Sequence, residues 1–302
     1  MDGMINIYKE NGYTSHDVVA RLRGILHTRK IGHTGTLDPM AEGVLPVCVG
    51  SATKLCETFT DHDKEYEAVM LLGKRYDTLD VTGVMIESNE VISTESDIVA
   101  AIESFIGGYD QVPPMYSAKK IDGQKLCDLA RSGKTVERKP VFVKIYAIDI
   151  LSVDMPRVRI RVRCGKGTYI RSLIDDIGNR LGCGAAMEEL TRTKVGDFDI
   201  SGAIRLSELE EKAAEDKISD VIITLEDIFS DLKGCRITPE LSKLLRNGNV
   251  IDGKSLRNIS PAVKDARDGE KIRMYDSEQS FLGVYEYNRS RDIFKPYKMF
   301  LN

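Results

Sequence analysis

The chain has 302 residues, of which 42% are hydrophobic and 30% charged, and its formal net charge is −4. This length can bury one large core and a small second domain. No apolar run approaches the roughly 20 residues that a membrane-spanning helix requires, and the N-terminal sequence MDGMINIYKENG lacks the apolar core of a signal peptide. We therefore expect a globular protein that stays in the cytoplasm and does not associate with a membrane.

Cysteine and histidine spacing gives no indication of a metal site or a disulfide framework. None of the six cysteines forms a CxxC pair, and the four histidines have no ligand spacing. We expect reduced, mostly structural thiols and no bound metal.

Charge is distributed unevenly along the chain. Residues 117–171 contain fourteen Lys or Arg against five Asp or Glu, whereas residues 204–232 contain nine acidic and three basic residues. Local charge governs attraction to a polyanion more than net charge does. The basic segment is typical of a nucleic-acid-binding surface and equally of a solvated lysine-rich surface, and charge alone does not choose between them.

The predicted elements alternate irregularly between helices and strands. Ser15 can cap a first helix, and Thr94 with Asp97 can cap a helix that extends to Ile106. The polar, glycine-rich residues 29–40 between them predict a loop. Strands are predicted at residues 66–72, 141–151 and 157–164, and helices at residues 125–132 and 169–181. This mixture favours an α+β fold with a largely antiparallel sheet that has one solvated face.

The segment RVRIRVRC at residues 157–164 alternates between basic and apolar residues. A period of two predicts a half-buried strand with four arginines on its outer face. That face suits a phosphate backbone, and it suits plain solvent equally.

From about Lys233 the sequence changes to short strand-like pieces separated by turns, among them KIRMYD, FLGVYEYN and KPYKMF. We predict a domain boundary at this point, with one domain at residues 1–232 and a small β-rich domain at residues 233–302.

The most informative stretch is IGHTGTLDPMAEGVLPVCVG at residues 31–50. Proline after Asp38 biases the aspartate away from the helical region, so the backbone presents its carboxylate in an extended loop. A lone aspartate before proline is more often a turn-forming residue than a reactive one. The residue pattern alone leaves both interpretations open.

Five segments in order resemble motifs of the bacterial tRNA pseudouridine-55 synthase family. GHTGTLDPMAEGVLPVCVG is similar to the family signature, TSHDVVARLR to its N-terminal helix, and DKEYEAVMLLG to its tyrosine-bearing strand. PPMYSAKKIDGQKLCDLAR resembles the segment before and within a mobile RNA-gripping insertion. CGKGTYIRSLIDDIGNRLGCGA, followed by LTRTKVG, resembles the motif that carries the active-site arginine. The resemblance runs from Lys9 to Gly196.

This resemblance implies the pseudouridine synthase fold, which is a mixed, largely antiparallel central sheet with flanking helices, followed by a small PUA-like RNA-binding domain. It also implies an insertion at about residues 110–140. The implied reaction is isomerisation of uridine 55 in the T-loop of tRNA. The implied enzyme is a stand-alone monomer that binds the T-stem-loop and needs no cofactor, metal or protein partner.

In this family the aspartate of the signature motif is catalytic, which implies that Asp38 is the catalytic residue here. The resemblance assigns active-site support to Tyr66, Arg171, His33 and Leu190. Tyr66 is expected to stack on the flipped base, Arg171 to balance the charge of Asp38, and His33 to enter the T-loop. Without the resemblance, plainer roles are commoner for a strand tyrosine, a helix arginine and a loop histidine: sheet core, solvated surface and a local hydrogen bond.

The residue types fit the implied chemistry. Conversion of uridine to pseudouridine breaks the N1–C1′ bond, turns the base over and joins C5 to C1′, without a second substrate. It requires a carboxylate that attacks C1′ or C6 or removes the C2′ proton, and the sequence leaves these routes open. The base must first leave its stack, so an aromatic platform is expected.

Basic residues near the motifs, in the insertion and on the arginine strand are candidates for contacts with RNA phosphates. These candidates are Lys9, Lys64, Lys119, Lys120, Lys125, Arg131, Arg159, Arg161 and Lys166.

Three other functions are less consistent with the sequence. An RNA-guided rRNA-type synthase shares the aspartate motif, but the compact insertion and the absence of basic tails favour a stand-alone tRNA enzyme. An RNA-binding or tRNA-folding protein would not need both Asp38 and Arg171. A small-molecule enzyme that binds phosphate through the glycine-rich loop is disfavoured, because residues 32–43 fit neither Walker A nor GxGxxG spacing.

Overall fold

The computed structural model describes residues 1–301, and these contain twenty strands and nine α-helices. The strands are β1 Gly3–Lys9, β2 Ile31–His33, β3 Glu42–Val49, β4 Lys64–Leu72, β5 Lys74–Tyr76, β6 Met85–Ser88, β7 Tyr109–Gln111, β8 Lys120–Ile121, β9 Gln124–Lys125, β10 Val141–Val143, β11 Ile145–Asp154, β12 Arg157–Cys164, β13 Ala185–Val195, β14 Phe198–Asp199, β15 Ile223–Thr224, β16 Lys233–Arg236, β17 Ile251–Asp252, β18 Lys271–Tyr275, β19 Phe281–Asn288 and β20 Ile293–Met299. The helices are α1 Ser15–Ile25, α2 Cys56–Thr60, α3 Glu95–Glu103, α4 Leu126–Arg131, α5 Ile170–Leu181, α6 Leu206–Ala214, α7 Leu225–Ile228, α8 Pro239–Arg246 and α9 Gly253–Ile259.

A nine-stranded central sheet organises the first 230 residues. Its strand order is β11-β12-β4-β13-β3-β1-β15, with β2 beside β3 and β14 beside β13. Neighbouring strands are antiparallel except β13 and β3, which are parallel. At this parallel junction Gly43 has a φ of 101°, and a Cβ there would collide with the backbone of Arg192. Only glycine allows the two strands to approach so closely. The predicted fold class, a mixed and largely antiparallel sheet with flanking helices, is confirmed.

Two apolar cores cover the central sheet. Helices α3 and α5 pack on β4, β12 and β13, with Ile102, Leu173 and Ile177 among the residues that are fully buried there. Helices α1 and α6 pack on β1 and β3 around Leu22 and Leu209. The helices therefore bury their apolar stripes on the sheet, as their periodicity predicts.

Strand β12 has the predicted bounds and the predicted alternation. Val158, Ile160, Val162 and Cys164 are buried, whereas the arginines between them point outward. β12 pairs with β11 on one side and with β4 on the other, so it lies inside the sheet and not at its edge.

Helix boundaries follow local capping chemistry. The predicted capping box of Thr94 with Asp97 is present, and α5 ends at Gly182 in the left-handed conformation. The cap of α1 was predicted one residue too late, because Thr14, not Ser15, adopts the extended backbone and accepts the Asp17 N–H. Ser15 is buried instead.

Two other predictions need correction. The predicted loop at residues 29–40 contains the short strand β2, which pairs with β3. The predicted strand at residues 141–151 is divided, because β10 pairs with β7 in a separate two-stranded sheet while β11 joins the central sheet. The segment from β7 to β10 therefore leaves the central sheet as an insertion.

A second sheet begins at Lys233 and has the order β16-β18-β19-β20-β17. It has its own core and includes α8 and α9, two helices that the sequence did not predict. Phe281 and Phe300 of this region pack with Met4, Leu55 and Leu225, so an apolar cluster joins it to the rest of the molecule. In the described residues 1–301, every helix is too short or too polar to cross a lipid bilayer.

Candidate active site

A cleft of about 280 Å³ opens where the loop after β2, the start of β4, the insertion and the start of α5 meet. Four of the residues predicted to form the active site line it, namely Asp38, Tyr66, Arg171 and Leu190. These residues come from four separate parts of the sequence, so the fold alone brings them together.

Asp38 and Arg171 form a two-point ion pair at the bottom of this cleft. Arg171 Nε lies 2.8 Å from Asp38 Oδ2, and Arg171 Nη2 donates to Asp38 Oδ1 at 3.0 Å. Such a forked pair fixes the carboxylate in orientation as well as in position. The Arg171 side chain is 5% exposed and that of Asp38 is 34% exposed, so the buried guanidinium holds a carboxylate that faces the cleft.

The surroundings of Asp38 act on its pKa in opposite directions. Removal from bulk water raises the pKa of the carboxyl, Arg171 lowers it, and Asp80 raises it further, with a net rise. Arg171 is therefore the main group that keeps Asp38 ionised. An ionised carboxylate with a raised pKa is a stronger proton acceptor than an ordinary aspartate.

Arg171 is itself held by two other segments. Its Nη1 donates to the Thr78 carbonyl and its Nη2 to the Tyr116 carbonyl, each at 2.8 Å. Asp80 Oδ2 lies 3.5 Å from Nη1, and Asp80 accepts hydrogen bonds from Thr78 and Thr82. Residue patterns do not single out Asp80, because a polar TLDVTG turn is typical of many surface loops.

The loop that carries Asp38 is anchored by Lys9. Lys9 Nζ donates to the carbonyls of Glu10, Tyr13 and Pro39 at 3.1, 2.5 and 3.1 Å, and Lys9 is 0% exposed. This corrects the prediction of an RNA contact, because a lysine with all three donors in use inside the protein is not available to a phosphate. Burial lowers the pKa of Lys9 to about 8.

Tyr66 and Leu190 lie on the adjacent strands β4 and β13. Each is less than a tenth exposed, and Tyr66 is opposite Arg192. Arg192 is 1% exposed and donates to the carbonyls of Val44 at 2.7 Å and Gly35 at 3.2 Å. Burial raises the pKa of Tyr66, and the positive charge of Arg192 opposes that rise. Arg192 belongs to the motif LTRTKVG, but the residue pattern alone does not distinguish this buried arginine from a surface one.

His33 lies at the end of β2, outside the lining of the cleft. Its Nδ1 accepts the Gly35 N–H at 3.3 Å, which is the local hydrogen bond expected of a loop histidine. Burial and then the charge of Arg192 lower the pKa of His33, so the imidazole is neutral at pH 7. His33 is two residues from the cleft-lining Gly35.

Lys64 and Lys166, both predicted to contact RNA, differ in exposure. Lys64 lines the cleft but is 8% exposed, and its Nζ donates to the carbonyls of Thr60 and His62 at 2.6 Å. Burial lowers the pKa of Lys64 to about 8. Lys166 is exposed and lies 2.9 Å from Asp61. Of these two lysines, only Lys166 is on an open surface.

The basic residues of the insertion are open to solvent. Lys120 and Lys125 are exposed and lie opposite each other on β8 and β9, and Arg131 is 75% exposed, with its nearest carboxylate, Asp128, at 3.9 Å. Lys119 is half-buried. Like charges directly opposite in a hairpin repel, and an anion between them would relieve that repulsion.

Arg159 and Arg161 are not brought to the cleft. Arg159 pairs with Glu189 at 3.2 Å and Arg161 with Glu67 at 2.7 Å. Because successive side chains in a strand point to opposite faces, Glu67 and its partner Arg161 lie on the face opposite Tyr66. This contradicts the prediction that Arg159 and Arg161 contact phosphates beside the site, because both lie away from the cleft and each is paired with a carboxylate.

A basic surface that the sequence reasoning missed lies on the segment that leads into the loop of Asp38. The twenty residues between Asp17 and Asp38 contain no acidic residue. Arg23, Arg29 and Lys30 are exposed and form no ion pair with the carboxylates that the structure describes. β2 connects them directly to the loop of Asp38. The acid-free stretch is the sequence feature that indicates this basic surface, and it lies outside the basic segment at residues 117–171.

Models of known families match most of the chain. Residues 23–170 match the N-terminal domain of TruB family pseudouridylate synthases, and residues 171–230 match the C-terminal domain of tRNA pseudouridylate synthase B. The second model ends just before the second sheet begins at Lys233.

Similar proteins and solved structures cover the whole length. The chain is 50% identical to tRNA pseudouridine synthase B of Lachnoclostridium phytofermentans over 100% of both chains, and 45% identical to that of Clostridium acetobutylicum over 99% of both. Its structure resembles a chain of an H/ACA RNP bound to a substrate RNA containing 2′-deoxyuridine, with a TM-score of 0.70 and 25% identity. It also resembles a chain of a Cbf5–Nop10–Gar1 complex, with a TM-score of 0.70 and 27% identity. Each alignment covers 99% of this chain and 85% of the other.

Proposed function

The chain belongs to the TruB family of pseudouridylate synthases, and from this membership we propose that it isomerises uridine 55 in the T-loop of tRNA to pseudouridine. The proteins that are 45–50% identical over the full length are tRNA pseudouridine synthases. The chain is accordingly an isomerase that forms pseudouridine in tRNA, and the proposal adds the nucleotide, the residues and the mode of action.

The observation that supports the proposal most strongly is the forked Asp38–Arg171 pair that opens onto a cleft. The isomerisation needs one ionised carboxylate that can reach the sugar and base of a flipped nucleotide. A carboxylate buried against an arginine with one side open meets that need.

In the proposed reaction Asp38 acts directly on the nucleotide, by attack on C1′ or C6 or by removal of the C2′ proton. The N1–C1′ bond breaks and the C5–C1′ bond forms. The proton on C5 is lost to solvent, and N1 gains a proton, so atoms and electrons balance without a co-reactant. Arg171 keeps Asp38 ionised and holds it in one orientation throughout.

Tyr66 and Leu190 are proposed to hold the flipped base between an aromatic ring and an aliphatic side chain. Stacking on an aromatic ring contributes about 1–3 kcal/mol per base. Arg192, opposite Tyr66 on the next strand, places a buried positive charge near the Tyr66 hydroxyl. The neutral His33, beside the cleft, is proposed to enter the T-loop and stabilise the flipped state.

Phosphate contacts are proposed on two exposed basic surfaces. One is on the insertion, with Lys120, Lys125 and Arg131, and the other is formed by Arg29 and Lys30 before β2. Both surfaces attract RNA in spite of the net charge of −4, because the potential near a polyanion depends on nearby charges.

The enzyme is proposed to act alone in the cytoplasm as a monomer, without guide RNA, cofactor or metal. The full-length identity of 50% with a tRNA enzyme favours this over an RNA-guided function, since identity with the H/ACA-type neighbours is 25–27%. We propose residues 1–232 as the catalytic domain and residues 233–302 as a PUA-like domain that contacts RNA outside the T-loop.

The purified protein, incubated alone with an unmodified tRNA transcript, tests this function. Carbodiimide treatment followed by reverse transcription is expected to locate a single pseudouridine at position 55. A transcript with cytidine at that position should remain unmodified. Absence of pseudouridine, its formation at another position, or a requirement for added guide RNA would overturn the proposal.

A further inference from the structure

The base of the insertion is hydrogen-bonded to the start of helix α5 through Gln111. Gln111 is the last residue of β7 and is 1% exposed. Its Oε1 accepts the Tyr169 N–H at 2.8 Å, and its Nε2 donates to the Tyr169 carbonyl at 3.0 Å. Nε2 also donates to the Tyr109 hydroxyl at 2.7 Å. All of its donors are in use, and the acceptor–donor pair on Tyr169 fixes the orientation of the amide.

This contact bears on helix α5 because the helix has no side-chain cap of its own. Its N-cap residue is Tyr169, which makes no capping hydrogen bond, whereas α1 and α3 are capped by Thr14 and Thr94. Unsatisfied groups at a helix start leave the first turn free to shift unless another element holds them. Gln111 provides that restraint from outside the helix.

Arg171 is the second residue of α5, so the position of the first turn sets the position of its guanidinium. The same turn is joined to the insertion by Ser172 Oγ, which donates to the Val112 carbonyl at 3.2 Å, and by Arg171 itself, which donates to the Tyr116 carbonyl. Gln111 is also opposite Val141, where the insertion returns to β10. The two ends of the insertion therefore meet at the residue that holds α5.

We propose that Gln111 is a positioning residue for the reaction, which holds the first turn of α5 so that Arg171 makes both of its contacts with Asp38. The inference rests on the proposed function, since it assigns Gln111 to the pair that carries the chemistry. Gln111 does not touch the substrate and acts only through the backbone of Tyr169.

The variant Gln111→Met removes both polar atoms while it keeps a side chain of similar length. A displacement of about 1 Å at a catalytic group can reduce a rate by about 100-fold. We expect kcat to fall roughly 10- to 100-fold while the KM for tRNA stays within about twofold. Because Arg171 lowers the pKa of Asp38, its displacement should also move the acid limb of the kcat–pH profile to higher pH.

Tyr109→Phe is the matched control. It removes one hydrogen bond from the same amide and another from Asp176, but it leaves both bonds to Tyr169 in place. We expect it to lower thermal stability and to leave kcat and the acid limb unchanged. Gln111→Glu is a second test variant, because it keeps the size and the acceptor of the side chain but loses the amide donor to Tyr169 and to Tyr109.

Three measurements test whether Gln111 positions Arg171: steady-state kinetics with tRNA, pH profiles of kcat, and hydrogen exchange at the Tyr169 amide. Reduced kcat, a shifted acid limb and faster exchange in either folded Gln111 variant, but not in Tyr109→Phe, support the proposal. Wild-type kcat and acid limb in a folded Gln111→Met or Gln111→Glu protein would overturn it, as would an equal loss in Tyr109→Phe. If the wild type forms no pseudouridine, the proposed function is wrong, but the role of Gln111 can still be tested. NMR titration of Asp38 in the same variants then shows whether Gln111 holds Arg171 against Asp38.

Discussion

The substitution Arg171→Lys tests how much of the rate depends on the forked geometry of the ion pair. Lysine keeps the positive charge but is a single point donor, so it cannot make both contacts with Asp38. It also cannot reach the carbonyls of Thr78 and Tyr116 at the same time. The protein should fold and bind tRNA normally, because Arg171 is buried below the cleft and away from the exposed basic surfaces.

The magnitude follows from the hydrogen bonds that are lost. A hydrogen bond to a charged group contributes about 1.5–3 kcal/mol, and lysine retains at most one of the two that join Arg171 to Asp38. Each 1.36 kcal/mol changes a rate about tenfold, so kcat should fall by at least roughly 10- to 150-fold. This is a lower limit, because the loss of the contacts with the Thr78 and Tyr116 carbonyls displaces the cation further from Asp38.

Single-turnover kinetics and filter binding of tRNA separate rate from affinity in this variant. Arg157→Lys is the matched control, since Arg157 makes a similar two-point contact with Glu188, at 2.6 and 2.8 Å, on the outer face of the sheet. It should turn over at the wild-type rate. A kcat for Arg171→Lys within twofold of wild type, or a loss of affinity in place of rate, would refute the reasoning.

Three further predictions concern the base, the RNA backbone and pH. Tyr66→Phe keeps the aromatic ring and should bind tRNA normally but turn over more slowly if the hydroxyl takes part in proton transfer, whereas an unchanged rate would leave only stacking. The double variant Arg29→Gln, Lys30→Gln should reduce the slope of log Kd against log salt by about 1.4–1.8, since each phosphate contact contributes about 0.7–0.9. Because burial raises the pKa of Asp38 and the reaction needs its ionised form, kcat should begin to fall on acidification at a pH above the ordinary range for aspartate.

The controls for these predictions come from the same chain. Arg159→Gln with Arg161→Gln removes two positive charges from the face opposite the cleft and should leave the salt slope unchanged. An equal change in both double variants would show that only total charge matters. A kcat that is constant down to the ordinary titration range of aspartate would contradict the raised pKa of Asp38.

Elements governed by local rules could be predicted from the sequence. The alternation of RVRIRVRC determines β12 because side chains in a strand alternate between two faces. The Thr94–Asp97 capping box and Gly182 mark helix ends for equally local reasons. Thr14 was missed because either of two adjacent hydroxyl residues could cap α1, and only the backbone conformation decides between them.

Features that depend on distant parts of the chain could not be predicted from residue patterns. Two of the carbonyls that bind Lys9 are local, but that of Pro39 reaches it only when the loop of Asp38 folds back, so a buried lysine looked like a surface one. Asp38 and Arg171 are 133 positions apart, and only the family resemblance connected them before the structure did.

Release of tritium from tRNA labelled at C5 of uridine measures the central claim most directly, because the C5 hydrogen is lost only when C5 joins C1′. The wild-type protein should release one equivalent per tRNA, and Asp38→Asn, which keeps the size of the side chain but cannot ionise, should release none while it still binds the tRNA. Substantial release by a purified, folded Asp38→Asn protein would show that this carboxylate does not perform the chemistry.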